Sequence, residues 1–239
     1  MITGKKALVI GGSGGIGKAV SIALAKEGVL VAVHGGSSQE KLDRTLAEIH
    51  AAGGKAQGFL CNAEEPGAAE KILSAAPDAD IVVCAWGPFE RSALIAMDAT
   101  FWERMTLHNL AFPGTIVSLA ISGMIERGYG RILLFGGTNT DTVRGFKTTA
   151  AYSAAKTALG VLAKSAARAG AGRGVTCNVL CPGLTDTEYL DENELAYNRE
   201  NSPGKKAFDV SEIAQMAVSV IKNPSLNGAI IPLDKGIVI

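Results

Sequence analysis

Tyr152 and Lys156 stand four residues apart in the alanine-rich segment AAYSAAKTA. In a helix this spacing places both side chains on one face and within reach of each other. A phenol with a pKa of about 10 is a poor acid or base at neutral pH, but a nearby ammonium favours the phenolate and lowers that pKa. The pair therefore predicts a proton-transfer group, although a Tyr and a Lys at this spacing are also common as ordinary helix neighbours.

A glycine-rich turn near the N-terminus suggests a second kind of chemistry, anion binding. The segment KKALVIGGSGGIGKAV, from Lys5 to Val20, is an apolar run followed by glycines and then a helical pattern. Glycine lets the backbone approach a ligand closely, and the first N–H groups of a helix attract phosphate. The turn predicts a pyrophosphate site formed by Gly11, Ser13, Gly15, Ile16 and Gly17, although any crowded strand-to-helix turn can need glycine.

The order of the predicted elements describes a scaffold for these residues. Apolar runs alternate with helical patterns as βαβαβαβ, which is typical of a parallel, doubly wound sheet. After the first strand, the predicted strands are 29–34, 55–60, 80–84, 131–135, 175–181 and 229–232, and the long predicted helices are 98–127, interrupted near Pro113, and 149–171. We predict an α/β fold of the Rossmann type, with about seven parallel strands and helices on both faces.

The chain shows no boundary for a second domain. Neither a low-complexity linker nor an internal repeat interrupts the 239 residues, so we expect one domain over 1–239. The stretch 184–208 is polar, with little periodicity, and is expected to be an irregular, mobile lid over the substrate. Phe146 and Tyr189 are expected to help this lid set the substrate. Asp209 is expected to cap the helix that follows.

Composition excludes several classes of function. Basic and acidic residues balance at 23 each, so no long-range field favours nucleic acid or an anionic membrane, and a small-molecule substrate is expected. The first strand begins too early for a signal peptide, and no apolar run approaches bilayer length, which predicts a cytoplasmic protein without a membrane span. The four cysteines lie at or near predicted strands, where they are expected to be buried hydrophobes, so no metal site is predicted.

Taken together, these motifs resemble the classical short-chain dehydrogenase/reductase family, and the chain is similar to its 3-oxoacyl-acyl carrier protein reductases. The resemblance covers nearly the whole chain, from the widely spaced glycines through Tyr-x-x-x-Lys to the closing segment LDKG. It implies that Tyr152 exchanges a proton with the substrate, that Lys156 lowers the pKa of Tyr152 and holds the nicotinamide ribose, and that Asn109 completes a water relay.

The resemblance also implies further cofactor contacts. Pro182, Gly183, Thr185 and Thr187 would hold the nicotinamide amide, although the Pro-Gly pair is also an ordinary strand-ending turn. Gly87 would keep the backbone near the adenine ribose, and Asn62 would accept a hydrogen bond from the adenine amine. The usual Asn-Asn-Ala before that glycine is Cys84-Ala85-Trp86 here, and we expect Trp86 to pack on the central helix.

The catalytic serine of the family has no obvious counterpart. Counting back thirteen residues from Tyr152 reaches Asn139, whereas counting along the fifth strand reaches Gly137. Thr138 lies between them and carries a hydroxyl near the carboxyl end of a strand, where open α/β sheets bind ligands. We predict that Thr138 orients the substrate carbonyl, with Asn139 as the alternative, and both residues can equally well begin a polar loop.

The second strand favours NADP(H) over NAD(H). An acid after this strand would bind the ribose 2′-hydroxyl of NAD and repel a 2′-phosphate. Here His34-Gly35-Gly36-Ser37-Ser38 contains no acid, and Ser37, which is also predicted to cap the next helix, is expected to bind the phosphate. NAD(H) is less favoured but remains open, because the turn carries Gly14 where many NADP enzymes have a basic residue.

The predicted function is an NADP(H)-dependent oxidoreductase that interconverts a ketone and a secondary alcohol, with a 3-oxoacyl thioester as one candidate substrate. The alternative is a sensor that binds the dinucleotide without turnover, because the fourth-strand motif is altered and the serine is missing. A structural scaffold is disfavoured by Tyr152 and Lys156. The long alanine-rich helices carry more apolar surface than one sheet face can cover, and with the resemblance they predict a homo-oligomer, most simply a tetramer.

Overall fold

A seven-stranded parallel sheet forms the centre of the molecule. The computed structural model describes residues 1–237. The sheet has the order β3-β2-β1-β4-β5-β6-β9. Its strands are β1 (Lys6–Ile10), β2 (Leu30–Gly35), β3 (Lys55–Leu60), β4 (Ile81–Cys84), β5 (Gly130–Phe135), β6 (Val175–Pro182) and β9 (Ile230–Leu233). The predicted doubly wound fold is confirmed, and each strand lies within two residues of its predicted bounds.

Helices cover both faces of the sheet. They are α1 (Gly15–Lys26), α2 (Gln39–Ala51), α3 (Ala68–Ser74), α4 (Ala99–Thr106), α5 (Phe112–Glu126), α6 (Ala150–Gly170), α7 (Glu192–Asn201) and α8 (Val210–Lys222). One hydrophobic core joins α1, α2 and α8 to the sheet, and the other joins α3, α5 and α6 to it. Neighbouring strand residues serve opposite cores, Val9 one and Leu8 the other, which explains why the strands read as continuous apolar runs.

The long helix before β5 is interrupted near Pro113, as predicted. A π-helical segment, Leu107–Ala111, separates α4 from α5, and Phe112 N–H donates to Leu107 O across it. Pro113 lies in the first turn of α5 and has no N–H to donate to the carbonyl of Asn109, four residues earlier. The missing donor accounts for the wide turn upstream of the proline, and Asn109 lies inside that turn.

The segment 184–208 is more ordered in secondary structure than predicted. It contains the short strands β7 (Thr185–Asp186) and β8 (Phe208–Asp209), which pair in parallel, with α7 between them. Asp191 and Glu194 form a reciprocal capping box at the start of α7. The prediction of an irregular segment was therefore wrong, because α7 is polar almost throughout and lacks an apolar period. Asp209 caps α8 as predicted.

Two smaller predictions were also wrong. Ser38 rather than Ser37 caps α2, its hydroxyl accepting from Lys41 N–H at 3.3 Å. The helical stretch Ala99–Glu126 is long and apolar enough, by length and composition alone, to cross a membrane. A core helix passes the same test, and this stretch joins the core against the sheet through the buried side chains of Ile116, Val117 and Met124.

Candidate active site

Tyr152 and Lys156 meet at a cavity of about 270 Å³ at the carboxyl edge of the sheet. Both residues lie on α6, and Lys156 Nζ is 5.7 Å from the centroid of the Tyr152 ring. The Lys156 ammonium donates a hydrogen bond to Phe135 O, at the end of β5, at 3.0 Å. On its other side, the Tyr152 ring meets the edge of Phe89 with 5.0 Å between centroids. Tyr152 and Lys156 thus lie on the same helix face, and the hydrogen bond to β5 fixes the lysine.

The electrostatics of this pair differ from the prediction. Burial raises the pKa of the Tyr152 phenol, and the charge of a Cys181 thiolate would raise it further. Burial also lowers the pKa of Lys156 to about 8, which weakens the positive charge that was expected to favour the phenolate. The predicted lowering of the Tyr152 pKa is therefore not seen in this structure, and Tyr152 keeps its proton at neutral pH.

Asn109 and Gly87 form a second part of the site behind Lys156. Asn109 is fully buried and its Nδ2 donates to Pro88 O at 2.9 Å. Its Oδ1 has no hydrogen-bond partner among residues 1–237. A Cβ on Gly87 would overlap Asn109 Oδ1 and lie 3.3 Å from Lys156 Nζ, so only glycine fits between these two groups. A buried acceptor without a donor costs free energy, which fits a site that receives a polar ligand or water.

The three candidates for the missing serine occupy different places. A Cβ on Gly137 would lie 2.9 Å from the Tyr152 hydroxyl oxygen, so the position beside that hydroxyl carries no side chain here. Thr138 lies on the cavity wall and donates to Pro182 O at 3.3 Å. Asn139 has a φ of 64° and is not among the cavity-lining residues, and its buried Oδ1 has no partner in the described chain. Of these three candidates, only Thr138 brings a hydroxyl to the cavity.

The glycine turn is packed too closely for larger residues. Gly11 has a φ of 76°, and a Cβ on Gly17 would overlap the Gly11 carbonyl. Ile16 lines the cavity, while Ser13 joins the turn to α2 through Thr45, whose hydroxyl donates to Ser13 O at 3.2 Å. The turn therefore presents backbone rather than side chains at the start of α1, with Gly12, Gly14, Gly15 and Gly17 buried in the protein.

His34, at the end of β2, supports this turn in a way the sequence did not indicate. It is completely buried, and its Nδ1 accepts from Gly11 N–H at 3.1 Å. Its Nε2 lies 2.8 Å from Cys61 O, which accepts only if Nε2 carries the proton, so both contacts define one neutral tautomer. Burial lowers the pKa of His34 and keeps it in that neutral form.

Residues of the segment 184–208 also reach the turn. Gly15 N–H donates to Glu188 Oε1 at 2.8 Å, so a carboxylate sits at the start of α1. Tyr189 fills the space at Gly14, where any Cβ would overlap its hydroxyl, and Lys41 Nζ lies 4.6 Å from the centroid of its ring. Tyr189 was expected to shape the substrate site together with Phe146, but neither residue lines the cavity.

The remaining predicted cofactor residues divide into two groups. Pro182, Gly183, Thr185 and Thr187 all line the cavity, and the Thr185 hydroxyl donates to Gly183 O at 2.9 Å. Ser37 and Asn62 lie outside the cavity and are exposed at the ends of β2 and β3. Asn62 Oδ1 already accepts from Glu64 N–H at 3.1 Å, although its second lone pair remains available.

These features fit a nicotinamide dinucleotide. The glycine turn offers N–H groups at a helix start, and the orphan Oδ1 of Asn109 lies close to Gly87 and Lys156. The Trp86 ring packs on the central helix, as predicted, against His108 and Phe112 at 5.4 and 5.1 Å between centroids. The described residues contain no cluster of three metal-binding side chains.

The cavity wall also includes residues that the sequence did not single out. They come from the loop after β4 and from the segment around α7: Phe89, Arg91, Leu184, Leu190, Glu194 and Asn198. Phe89 and Arg91 follow Gly87 closely, so their place after a central strand was a usable signal. The α7 residues Glu194 and Asn198 gave no such signal in the sequence, because only the tertiary fold brings them to the cavity that Tyr152 lines.

Comparison with known proteins agrees with this arrangement. The family model described as short chain dehydrogenase matches residues 5–198. The 2-dehydro-3-deoxy-D-gluconate 5-dehydrogenase of Formosa agariphila is 28% identical and covers 99% of this chain and 93% of its own. The 3-oxoacyl-[acyl-carrier-protein] reductase FabG of Escherichia coli is 31% identical over 88% of this chain and 87% of its own.

A solved structure shows the same likeness in three dimensions. The crystal structure of a 3-oxoacyl (acyl-carrier-protein) reductase from Agrobacterium tumefaciens C58 with NADP bound superposes with a TM-score of 0.88. The two chains are 28% identical, and the match covers 98% of this chain and 94% of the other. With its strand order, glycine turn and Tyr-x-x-x-Lys pair, this chain belongs to the short-chain dehydrogenase family of oxidoreductases.

Proposed function

We propose that this protein is an NADP(H)-dependent oxidoreductase that interconverts a ketone and a secondary alcohol. In the reducing direction a hydride from the reduced dinucleotide adds to the carbonyl carbon and a proton adds to the oxygen. The products are the alcohol and the oxidised dinucleotide. The observation that carries the proposal is the position of Tyr152, whose side chain lines the same cavity as Lys156 and the segment 182–187.

Tyr152 is assigned the proton transfer. Its raised pKa keeps the phenol protonated, which is the form that donates to a carbonyl oxygen. As hydride arrives, that oxygen becomes an alkoxide, which is a much stronger base than a phenolate, so the transfer is downhill despite the raised pKa. Lys156, held by Phe135 O, is assigned the nicotinamide ribose and the positioning of Tyr152. The orphan Oδ1 of Asn109 suits a water in a proton relay.

The 2′-phosphate form of the cofactor is supported by charge. The residues from His34 to Ser38 include no acid, so nothing in this segment repels a phosphate. Lys41, in the first turn of α2, places its ammonium beside the glycine turn over Tyr189. The related reductase of Agrobacterium tumefaciens was solved with NADP bound. Equal kcat/KM with NADPH and NADH would contradict this part of the proposal.

A 3-oxoacyl thioester is one substrate that the named relatives suggest, and a gluconate derivative is another. A dinucleotide-binding sensor without turnover is the second candidate function, favoured by Gly137, which leaves the place beside the Tyr152 hydroxyl without a hydroxyl of its own. Steady-state turnover of a ketone panel, measured alongside NADPH binding, separates the two. Binding without turnover of any ketone would favour the sensor.

We further propose a cytoplasmic homotetramer built on the long helices, with 184–208 acting as a mobile lid of a single domain. Three apolar side chains on or near these helices are exposed in the single chain: Leu107 at 54%, Leu119 at 47% and Val161 at 70%. Such exposure supports burial against another copy. Light scattering at micromolar concentration is expected to give an oligomer, and a monomer would contradict this.

A further inference from the structure

Arg91 is held at the cavity wall by two aromatic rings from different parts of the chain. Its guanidinium carbon lies 5.3 Å from the centroid of Phe89, in the same loop, and 5.1 Å from the centroid of Tyr197, on α7. Both distances lie within the range of cation–π attraction. Arg91 is exposed, as are both rings, so these two contacts favour one placement of its guanidinium at the rim of the cavity while leaving its N–H groups accessible.

No carboxylate of the described chain neutralises Arg91. Glu90, its neighbour in sequence, pairs with Arg104 on α4 instead. Glu194 lies on the same cavity wall, but its Oε2 accepts from Asp191 N–H in the capping box, and no ion pair joins it to Arg91. Within residues 1–237, Arg91 therefore has no acidic group within ion-pairing distance.

The Phe89 ring relates the position of Arg91 to that of Tyr152, the proposed proton donor. The Phe89 ring touches both Arg91 and the Tyr152 ring, the latter at 5.0 Å between centroids. The guanidinium is thus two ring contacts away from the proton donor, on the wall of the same cavity. A planar guanidinium binds a carboxylate through two parallel N–H···O bonds, which fixes the orientation of the bound molecule.

Resting on the proposed oxidoreductase function, we propose that Arg91 binds a carboxylate of the substrate. The preferred substrates are then oxo acids and the matching hydroxy acids, with the carboxylate a few bonds from the reacting carbon. Arg91 acts on specificity: it holds the ketone with its oxygen toward Tyr152, and neutral ketones lack this contact. Charge-assisted hydrogen bonds contribute about 1.5–3 kcal/mol, which corresponds to roughly 10- to 150-fold in kcat/KM.

The test compares oxo acids with their methyl esters. The probes are 3-oxobutanoate, 4-oxopentanoate and 5-oxohexanoate, each against its methyl ester, with saturating NADPH. We expect the wild type to favour at least one acid over its ester by about 10- to 100-fold. Arg91→Met should remove this preference, mainly by raising KM for the acids, and should affect the esters much less than the acids. Arg91→Lys keeps the charge but lacks the planar guanidinium that makes two parallel hydrogen bonds, so it should retain only part of the preference for acids.

A control variant and the pattern of outcomes distinguish a failure of the Arg91 inference from a failure of the proposed function. Arg199→Met removes a charge from an exposed position on α7 outside the cavity wall and should change nothing. Equal turnover of acids and esters by the wild type would overturn the Arg91 inference alone. An equal loss of kcat/KM on acids and esters in Arg91→Met would do the same. A preference confined to dihydroxyacetone phosphate over dihydroxyacetone would also overturn it, in favour of phosphate. Failure to turn over any ketone would overturn the proposed function itself, and the inference with it.

Discussion

Two walls of one cavity are built on different principles. The sheet side, formed by the carboxyl ends of β1, β4, β5 and β6 together with α6 and the π-helical segment, places buried groups such as Lys156 and Asn109 among glycines. The lid side, formed by 184–208, is mostly exposed and carries charges such as Glu188. The sheet side is positioned by backbone hydrogen bonds and two hydrophobic cores, and the lid side by caps and single side-chain contacts. Under the proposed function, proton transfer is assigned to the buried wall, and the proposed carboxylate contact, Arg91, lies where the loop after β4 meets Tyr197 of the exposed wall.

The largest expected effect tests the sheet side. Tyr152→Phe removes the proton donor and nothing else, so kcat should fall by about 10²–10⁴-fold while the Kd for NADPH stays unchanged. Lys156→Ala should damage both quantities, because it acts on the phenol and on the ribose. Tyr129→Phe, at the opposite end of β5, is the matched control. Normal turnover by Tyr152→Phe would contradict the enzyme assignment.

The next largest expected effect distinguishes the roles of Thr138 and Asn139, which follow β5. Thr138 is predicted to donate to the substrate oxygen, an interaction worth about 2.7–4 kcal/mol in comparable oxyanion sites. Thr138→Val should therefore lower kcat/KM by about 10²–10³-fold, while Asn139→Ala, whose side chain is off the cavity wall, should not. A large loss in Asn139→Ala alone would transfer the role to Asn139.

A smaller effect, of opposite sign, is expected on the lid side. Glu188 places its carboxylate at Gly15 N–H, where a phosphate of the dinucleotide is expected, so the two anions compete. A charge at a helix start contributes about 0.3–1 kcal/mol, so Glu188→Gln should lower the Kd for NADPH by about 2- to 5-fold. Glu192→Gln, in the first turn of α7, controls for net charge. An unchanged or raised Kd would show that Glu188 does not oppose the cofactor.

The smallest effect concerns pH and the support of the glycine turn. Because the pKa of His34 is lowered from 6.5 on folding, the unfolded chain binds the proton first as the pH falls. The contribution of His34 is thus complete above pH 6.5 and is lost as the pH falls through the folded-state pKa. Urea unfolding between pH 7.5 and 5 should show the wild type losing stability relative to His34→Asn. A parallel pH dependence would contradict this, and His50→Asn serves as the surface control.

Much of the sheet side was predictable because it depends on local patterns. The alternation of apolar runs and helices predicted the sheet, and the spacing of Tyr152 and Lys156 predicted a shared helix face, which both residues occupy in α6. Cap positions shifted by one residue, from Ser37 to Ser38, because two adjacent hydroxyls present the same signal. The helix α7 was missed because it has almost no apolar period, although Asp191 and Glu194 spelled out its capping box.

The sequence by itself determined the fold class, the glycine turn and the shared helix face of Tyr152 and Lys156, because each depends on residues close together in the chain. Only the tertiary structure decided which distant groups meet. Glu188 reaches Gly15 across 173 residues, His34 accepts from Gly11, and Tyr197 closes over Arg91. The raised pKa of Tyr152 likewise depends on burial by several segments. Such contacts follow from the path of the whole chain, and no local spacing encodes them.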